Sequence, residues 1–290
     1  DAFAIKAAGN HLSILAGGRS VHAPFIMPGG FAHIPDDDGI RRSIDELKSI
    51  RPAVLRGIEL FSHSPFSLVR ETNYVGLKSV PFSYLEGELW DMNGKVADES
   101  TYRDHLERVV IPYSEASGYK FDGHAYRVGA LARINLNKDA LHPHTRRDAA
   151  EALRRFPSHD VYDNNLAQII AILHSVDESI DILSAAAFAK EPLQEIVPRE
   201  TVGVGVVEAP RGTLYHKYEI DGKGIVKRGE VIVPTGQNQI TIEADLGTFI
   251  QKNLSMDHET LSHECEKIIR AYDPCMSCAS HFLRLKIREI

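Results

Sequence analysis

The stretch Asp273-Pro274-Cys275-Met276-Ser277-Cys278-Ala279-Ser280-His281 gathers two thiols and an imidazole into seven positions near the end of a 290-residue chain. Two cysteines separated by two residues can turn both sulfurs toward one ion, and thiolates select soft or borderline metals such as zinc, nickel or an iron centre. The same spacing also serves redox pairs and halves of zinc knuckles, and it arises incidentally. A thioredoxin-like pair would open a helix after a strand, whereas this one follows an amphipathic stretch, Leu261 to Tyr272. The chain has only three cysteines, Cys265, Cys275 and Cys278. No second Cys-x-x-Cys completes a four-thiolate site, and a closed zinc site would need His281 and one more ligand.

Working outward, 43% hydrophobic residues over 290 positions supply a sizeable core, in one large domain or two ordinary ones. A net charge of -7 argues against gripping nucleic acid. The basic pairs Arg146-Arg147 and Arg154-Arg155 read as solvated helix faces. No apolar run reaches the roughly 18 to 20 residues of a membrane span, and no secretory signal pattern opens the chain. Few cysteines point to a reducing, cytoplasmic setting. The chain opens at Asp1-Ala2-Phe3 without an initiator Met, as if a helix were already in progress, so sequence upstream is expected.

Hydrophobic periodicity predicts helices over Ala2 to Ala16, stopped by Gly17-Gly18, over Ile40 to Ser49, and over a second apolar run from Ala53 to Leu68. Further helices are predicted over Thr101 to Val110, Arg146 to Arg155, Tyr162 to Ala187 and about Asp257 to Arg270. Ser79 to Val96 reads as a strand pair around Asn93-Gly94. Thr201 to Val207 is β-branched, and Tyr215 to Ile220 with Ile225 to Val233 flank Asp221-Gly222 as a second hairpin. The sum is a mainly helical α+β protein with small sheets at its ends and no repeat or linker, hence one domain.

Two further clusters carry chemistry. In Glu208-Ala209-Pro210-Arg211-Gly212 an arginine between proline and glycine leaves a strand in a fixed direction and offers a rigid fork of donors, although a surface turn would look the same. Val233-Pro234-Thr235-Gly236-Gln237-Asn238 packs polar and turn residues after a strand, as a site or as a strand cap. His142-x-His144 reads as a loop pair without a metal. His11, His63, His105 and His263 read as exposed or satisfied by neighbours, and Cys265 as a buried small side chain.

Taken in order, the Glu208 to Gly212 segment, Val233-Pro234-Thr235 with Gln237-Asn238, and Asp273-Pro274-Cys275-x-x-Cys278-x-x-His281 resemble the catalytic large subunit of nickel-iron hydrogenases. Gly17-Gly18-Arg19-x-x-His22, Pro28-Gly29-Gly30 and Val128-Gly129-Ala130-Leu131-Ala132-Arg133-x-Asn135 extend the resemblance over essentially the whole chain. Arg270-Ala271-Tyr272 before the motif resembles the cytoplasmic group coupled to NAD(P) or F420.

The resemblance implies the hydrogenase large-subunit fold and reversible oxidation of H2 to protons and electrons at a Ni-Fe centre whose iron carries CO and cyanide. It implies Cys275 as a terminal nickel ligand and Cys278 as a bridge to iron. Arg211 would stand over the open metal position, held by Asp273 through a charge-assisted pair. Pro210, Pro234 and Thr235 would cradle the diatomic ligands. His281, with the carbonyl of Val231, would bind a remote Mg or Fe. Implied partners are an iron-sulfur small subunit, diaphorase-type or F420-reducing subunits, and a C-terminal maturation protease.

Two departures qualify the resemblance. The family's first Cys-x-x-Cys, the acidic residue used in proton transfer and the carboxylate of the remote site belong ahead of Asp1, so this chain is expected to need the missing N-terminal part and to be inactive alone. Residues 282–290 continue past His281, where maturation cuts, which makes 1–281 the partial domain and 282–290 a tail removed later. His22 is followed by Ala23 where proline is usual. A non-catalytic scaffold of a respiratory complex and a zinc-binding interaction module are the alternative readings.

Overall fold

Apolar side chains at helical spacing shape most of this protein, whose computed structural model describes residues 1–275 apart from residues 115, 186 and 190. Helix α1 (Ala2–Gly17) stops where Gly18 turns left-handed at φ 90° and donates its N–H to the Ile14 carbonyl, as a glycine cap does. Helix α2 (Asp37–Ser62) starts at Asp36, whose carboxylate accepts from Gly39 N–H, and Asp37 and Asp38 place negative charge at its positive end. The two helices predicted here are one. Pro52 removes a single N–H from the ladder, while Leu47, Ile50, Val54 and Ile58 are buried along one face, and that burial outweighs the lost bond. The helix ends at Ser62, short of Leu68.

Four short helices follow: α3 (Tyr102–His105), α4 (Ala130–Asn137), α5 (Pro143–Asp148) and α6 (Ala150–Leu153). The helix predicted over Arg146 to Arg155 is thus broken at Ala149. Helix α7 (Asp163–Ala185) matches its prediction, with Leu166, Ile170 and Leu173 wholly buried. Helices α8 (Pro234–Lys252) and α9 (His258–Ala271) complete the set among the described residues; α8 was read only as polar residues behind a strand.

A hairpin of β1 (Ile26–Met27) and β2 (Gly30–Phe31) precedes α2. Strands β3 (Asn73–Lys78), β4 (Glu88–Asp91) and β5 (Val96–Ala97) form a sheet with β4 and β5 joined across Asn93-Gly94; Ser79 to Gly87 lies outside it. Strands β6 (Leu106–Val109) and β7 (Gly118–Phe121) pair antiparallel, so the helix predicted over Thr101 to Val110 survives only as α3. The pairing Leu106 to Phe121 is non-local, and it overrides the local helical pattern. Strand β8 (Tyr126–Arg127) joins β3 in parallel, giving the order β5-β4-β3-β8. Strands β9 (Thr201–Ala209), β10 (Gly212–Ile220) and β11 (Val226–Ile232) form a meander. The larger sheets therefore sit in mid-chain and before α8, with the short β1–β2 hairpin nearer the N-terminal end.

Two cores result. One joins α1, α2, α4 and α7 around Val54, Leu131, Ile134 and Leu166. The other gathers Leu77, Leu89, Phe121, Tyr126, Tyr215 and Ile232 from the sheets. Segments that link the two cores carry the candidate site.

Candidate metal centre

The turn from β9 to β10 crosses the segment that leads into α4 in close backbone contact. Gly212 has φ 132°, and a Cβ there would lie 2.8 Å from Gly129 N and 2.6 Å from a Val128 methyl; Gly129 has φ 123° and faces the Arg211 carbonyl. Only glycine fits either place. One turn into α4, Arg133 donates from Nε and Nη2 to Glu208 Oε2 at 3.1 and 2.9 Å, and from Nη2 to the Ala209 carbonyl at 2.6 Å. Glu208 Oε1 accepts from Leu77 N–H and the Thr213 hydroxyl at 3.0 and 2.8 Å. The pair is buried, 3% and 1% exposed, and both Glu208 oxygens are hydrogen-bonded, as a buried charge pair requires. It clamps the strand ends on either side of Pro210-Arg211.

The first turn of α8 is locked to the same place. Asn238 accepts from Val128 N–H at 2.9 Å and donates to the Val128 carbonyl at 3.1 Å. Gln237 donates to the Thr213 carbonyl at 2.7 Å and accepts from Tyr126 Oη at 3.0 Å. Pro234 takes a first-turn position, where its missing N–H loses nothing.

Helix α9 brings the third segment. Tyr272 donates to Asp245 of α8, the Arg127 guanidinium lies 4.0 Å above its ring, and burial pushes its phenol up in pKa. Beyond it Asp273 takes a left-handed φ of 52°, uncommon for a residue with a Cβ. Arg211 donates from Nε to the Asp273 carbonyl at 2.9 Å and from Nη2 to Asp273 Oδ1 at 3.2 Å. Cys275 donates its N–H to Thr235 Oγ1 at 3.0 Å.

Arg211, Thr235, Asp273 and Cys275 thus meet, with Pro234 beside Thr235, and Pro210 shares with Asp273, Arg133 and Gln168 the wall of a cavity of about 620 Å³. Val231 lies on β11 opposite His216, three residues before Pro234. Cys278, His281 and the tail 282–290 lie outside the described residues. The sequence reading missed Asn164 and Gln168 of α7, which reach the Ala271 carbonyl and Asp273 Oδ2 at 2.9 Å each. Nothing local marks two amides on a core helix as site residues. Gly17-Gly18 and Pro28-Gly29-Gly30 are placed elsewhere: Gly29 accepts from Gln194 N–H and closes β1 on β2.

The thiol inventory can be tested against a metal centre. Cys265 is 1% exposed within α9, its pKa raised by burial, so it packs as an apolar group. That leaves Cys275 and Cys278, fitting two of the four thiolates that the resemblance implies. His142, His144 and Asp177 converge to within 4.8 Å. Asp177, however, already accepts from Arg51 Nε at 2.7 Å, Arg51 Nη2 at 3.2 Å and Thr145 Oγ1 at 2.7 Å. Its charge is matched by a guanidinium, which disfavours a second cation there.

The cysteine-bearing loop is thus gripped by an arginine, between a helix N-terminus and a glycine crossing. The nickel-dependent hydrogenase family model matches residues 97–281, and the chain belongs to that family. It is 31% identical to sulfhydrogenase 2 subunit alpha of Pyrococcus furiosus over 98% of this chain and 68% of the relative. It is 32% identical to the NAD-reducing hydrogenase HoxS subunit beta of Cupriavidus necator over 67% of this chain and 43% of that one. The crystal structure of an NAD+-reducing NiFe hydrogenase in the H2-reduced state superposes with a TM-score of 0.81 at 25% identity, covering 95% of this chain and 67% of that one. The chain therefore spans about two thirds of the length of relatives it matches from end to end. No described helix is long and apolar enough to cross a membrane.

Proposed function

We propose that this chain contributes the arginine, the loop carboxylate and two thiolates of a hydrogenase catalytic centre that interconverts H2 with protons and electrons. The observation that carries the reading is the convergence of Arg211 and Thr235, from two separate segments, upon residues Asp273–Cys275. When bound, a Ni-Fe centre with CO and cyanide on iron supplies a site for heterolytic cleavage of H2. Cys275 and Cys278 would hold it, with Pro210, Pro234 and Thr235 around the diatomic ligands.

The chain's own residues do the rest. A guanidinium stays charged at any working pH, and the Asp273 carbonyl and carboxylate fix its Nε and Nη2, so the remaining donors of Arg211 are aimed without rotational search. A thiolate at Cys275 Sγ is a base able to take the proton released. The Cys275 backbone cannot drift, because its N–H is tied to the first turn of α8.

Electrons would leave through an iron-sulfur small subunit, since the three cysteines here cannot supply a cluster besides the thiolates, and pass to diaphorase-type subunits and NAD(P), or to F420-reducing ones. The NAD-reducing relatives support the nicotinamide route. A cytoplasmic location, Mg or Fe held by His281 and the Val231 carbonyl, and removal of residues 282–290 by a maturation protease complete the proposal. The decisive test is infrared spectroscopy of the matured complex with nickel and iron analysis. CO and cyanide bands with both metals are expected; zinc alone, or no bands, would sink it.

A further inference from the structure

We infer that Gln168, in the second turn of α7, is a positioning residue for Arg211, an inference that rests on the hydrogenase reading above. Gln168 Nε2 donates to Asp273 Oδ2 at 2.9 Å, while Arg211 takes the other oxygen and the backbone carbonyl of the same residue. The carboxylate is divided between donors from two elements. A carboxylate on a loop can rotate and offer either oxygen. With Oδ2 held by an amide on a core helix, only Oδ1 faces the guanidinium, and the rotation of the Arg211 fork is set.

The support is built into the helix. Asn164 lies four residues earlier on the same face of α7 and holds the Ala271 carbonyl at 2.9 Å, while its Oδ1 accepts from Leu131 N–H at 3.0 Å. Two amides one turn apart thus grip the chain at residues 271 and 273, and the neighbours Ala167 and Ile170 are wholly buried. Such a grip matches the need, because Asp273 sits at φ 52°, a conformation that persists only where surroundings impose it. The chemistry of the donor also matters. A neutral amide orients the carboxylate without competing for its charge, whereas lysine or arginine at 168 would draw Asp273 away from Arg211.

The test uses the full-length large subunit assembled with its small subunit, and two variants, Gln168→Leu and Gln168→Glu. H2/D2O exchange is followed at pH 5 and pH 8 together with deuterium uptake at the Cys275 amide. Loss of one hydrogen bond to a carboxylate predicts roughly tenfold slower exchange for Q168L at both pH values, with nickel content kept and the Cys275 amide less protected. Glutamate can donate to Asp273 only when protonated, and the adjacent carboxylate favours its neutral form. Q168E is therefore expected to approach the unmodified enzyme at pH 5 and to resemble Q168L at pH 8, a dependence that a space-filling role would not produce. Q168L within twofold of the unmodified enzyme in both readouts, or Q168E equally impaired at both pH values, overturns the inference; if Q168L does not assemble, Q168E decides alone. Failure of the hydrogenase reading looks different: the unmodified complex would lack exchange and CO and cyanide bands, while Cys275 protection still reports whether Gln168 holds Asp273.

Discussion

Glu208 shows how much a single residue near the site carries. Its two oxygens take four donors, from Arg133 twice, Leu77 and Thr213. Glu208→Gln leaves a buried guanidinium without its counter-charge, and breaking such a pair from one side costs about 3–5 kcal/mol. Urea denaturation should show a loss of that order, and replacing Thr213 by valine a smaller one. Thr235 is the second case. Thr235→Val removes the Oγ1 acceptor of the Cys275 N–H, at a cost of about 0.5–1.5 kcal/mol, while Thr235→Ser keeps the acceptor. Amide exchange at Cys275 should accelerate in the valine variant and stay slow in the serine one. Arg211, Thr235, Asp273 and Cys275 could be named from the sequence through the family resemblance of their segments, since residue type alone leaves Arg211 in a possible surface turn and Thr235 in a possible strand cap; the fold brings the four together. Roles for Arg133, Asn164 and Gln168 could not be named this way, since each acts through a backbone carbonyl or carboxylate that only folding brings near.

Among the elements, α7 joins the two halves of the argument, packing against α2 and α4 while Asn164 ties α4 to the end of α9. Asn164→Ala leaves the Leu131 N–H and the Ala271 carbonyl unpaired in a buried setting, and about 1–3 kcal/mol of stability should go for each group left without a partner; differential scanning calorimetry of the pure chain would register it. Further along α7, His174 accepts from His142 N–H at 3.1 Å, and burial, then the neighbouring His142, push its pKa down to about 4. An unfolded histidine titrates near 6.5. The unfolded chain therefore takes up the proton first, and stability is lost as pH falls from about 6.5 toward 4, by at most about 3 kcal/mol. His174→Gln should flatten that part of the pH profile, so a variant whose melting point falls between pH 7 and pH 4.5 as steeply as the unmodified chain's would contradict it. Element boundaries followed the same logic as residues. Helix α7 is readable because its buried face repeats at helical spacing, whereas the continuity of α2 from Ser49 through Pro52 to Ala53 and the strand state of β6 are decided by packing partners distant in sequence.

At the scale of all 290 residues, the thiol inventory sets what this segment can hold by itself. With Cys265 sealed inside α9, the 290 residues offer two thiols for a centre that the proposal gives four. Loaded as isolated polypeptide, the chain should retain no stoichiometric nickel after chelation and show no H2/D2O exchange, whereas co-assembly with a polypeptide carrying the rest of the catalytic subunit should restore both; metal analysis by mass spectrometry checks it. By itself the sequence determined the family, because two thiols, an arginine between proline and glycine, and a proline-threonine step stand in the order in which nickel-iron hydrogenases carry them, and the kind of chemistry is what that resemblance implies. Tertiary structure alone decided that these segments share one place. Gly129 and Gly212 allow two backbones to cross within van der Waals contact, a buried ion pair clamps the crossing, and α7 lends its amides to a loop 105 residues further along. Contacts of that range leave no periodicity in the chain to read.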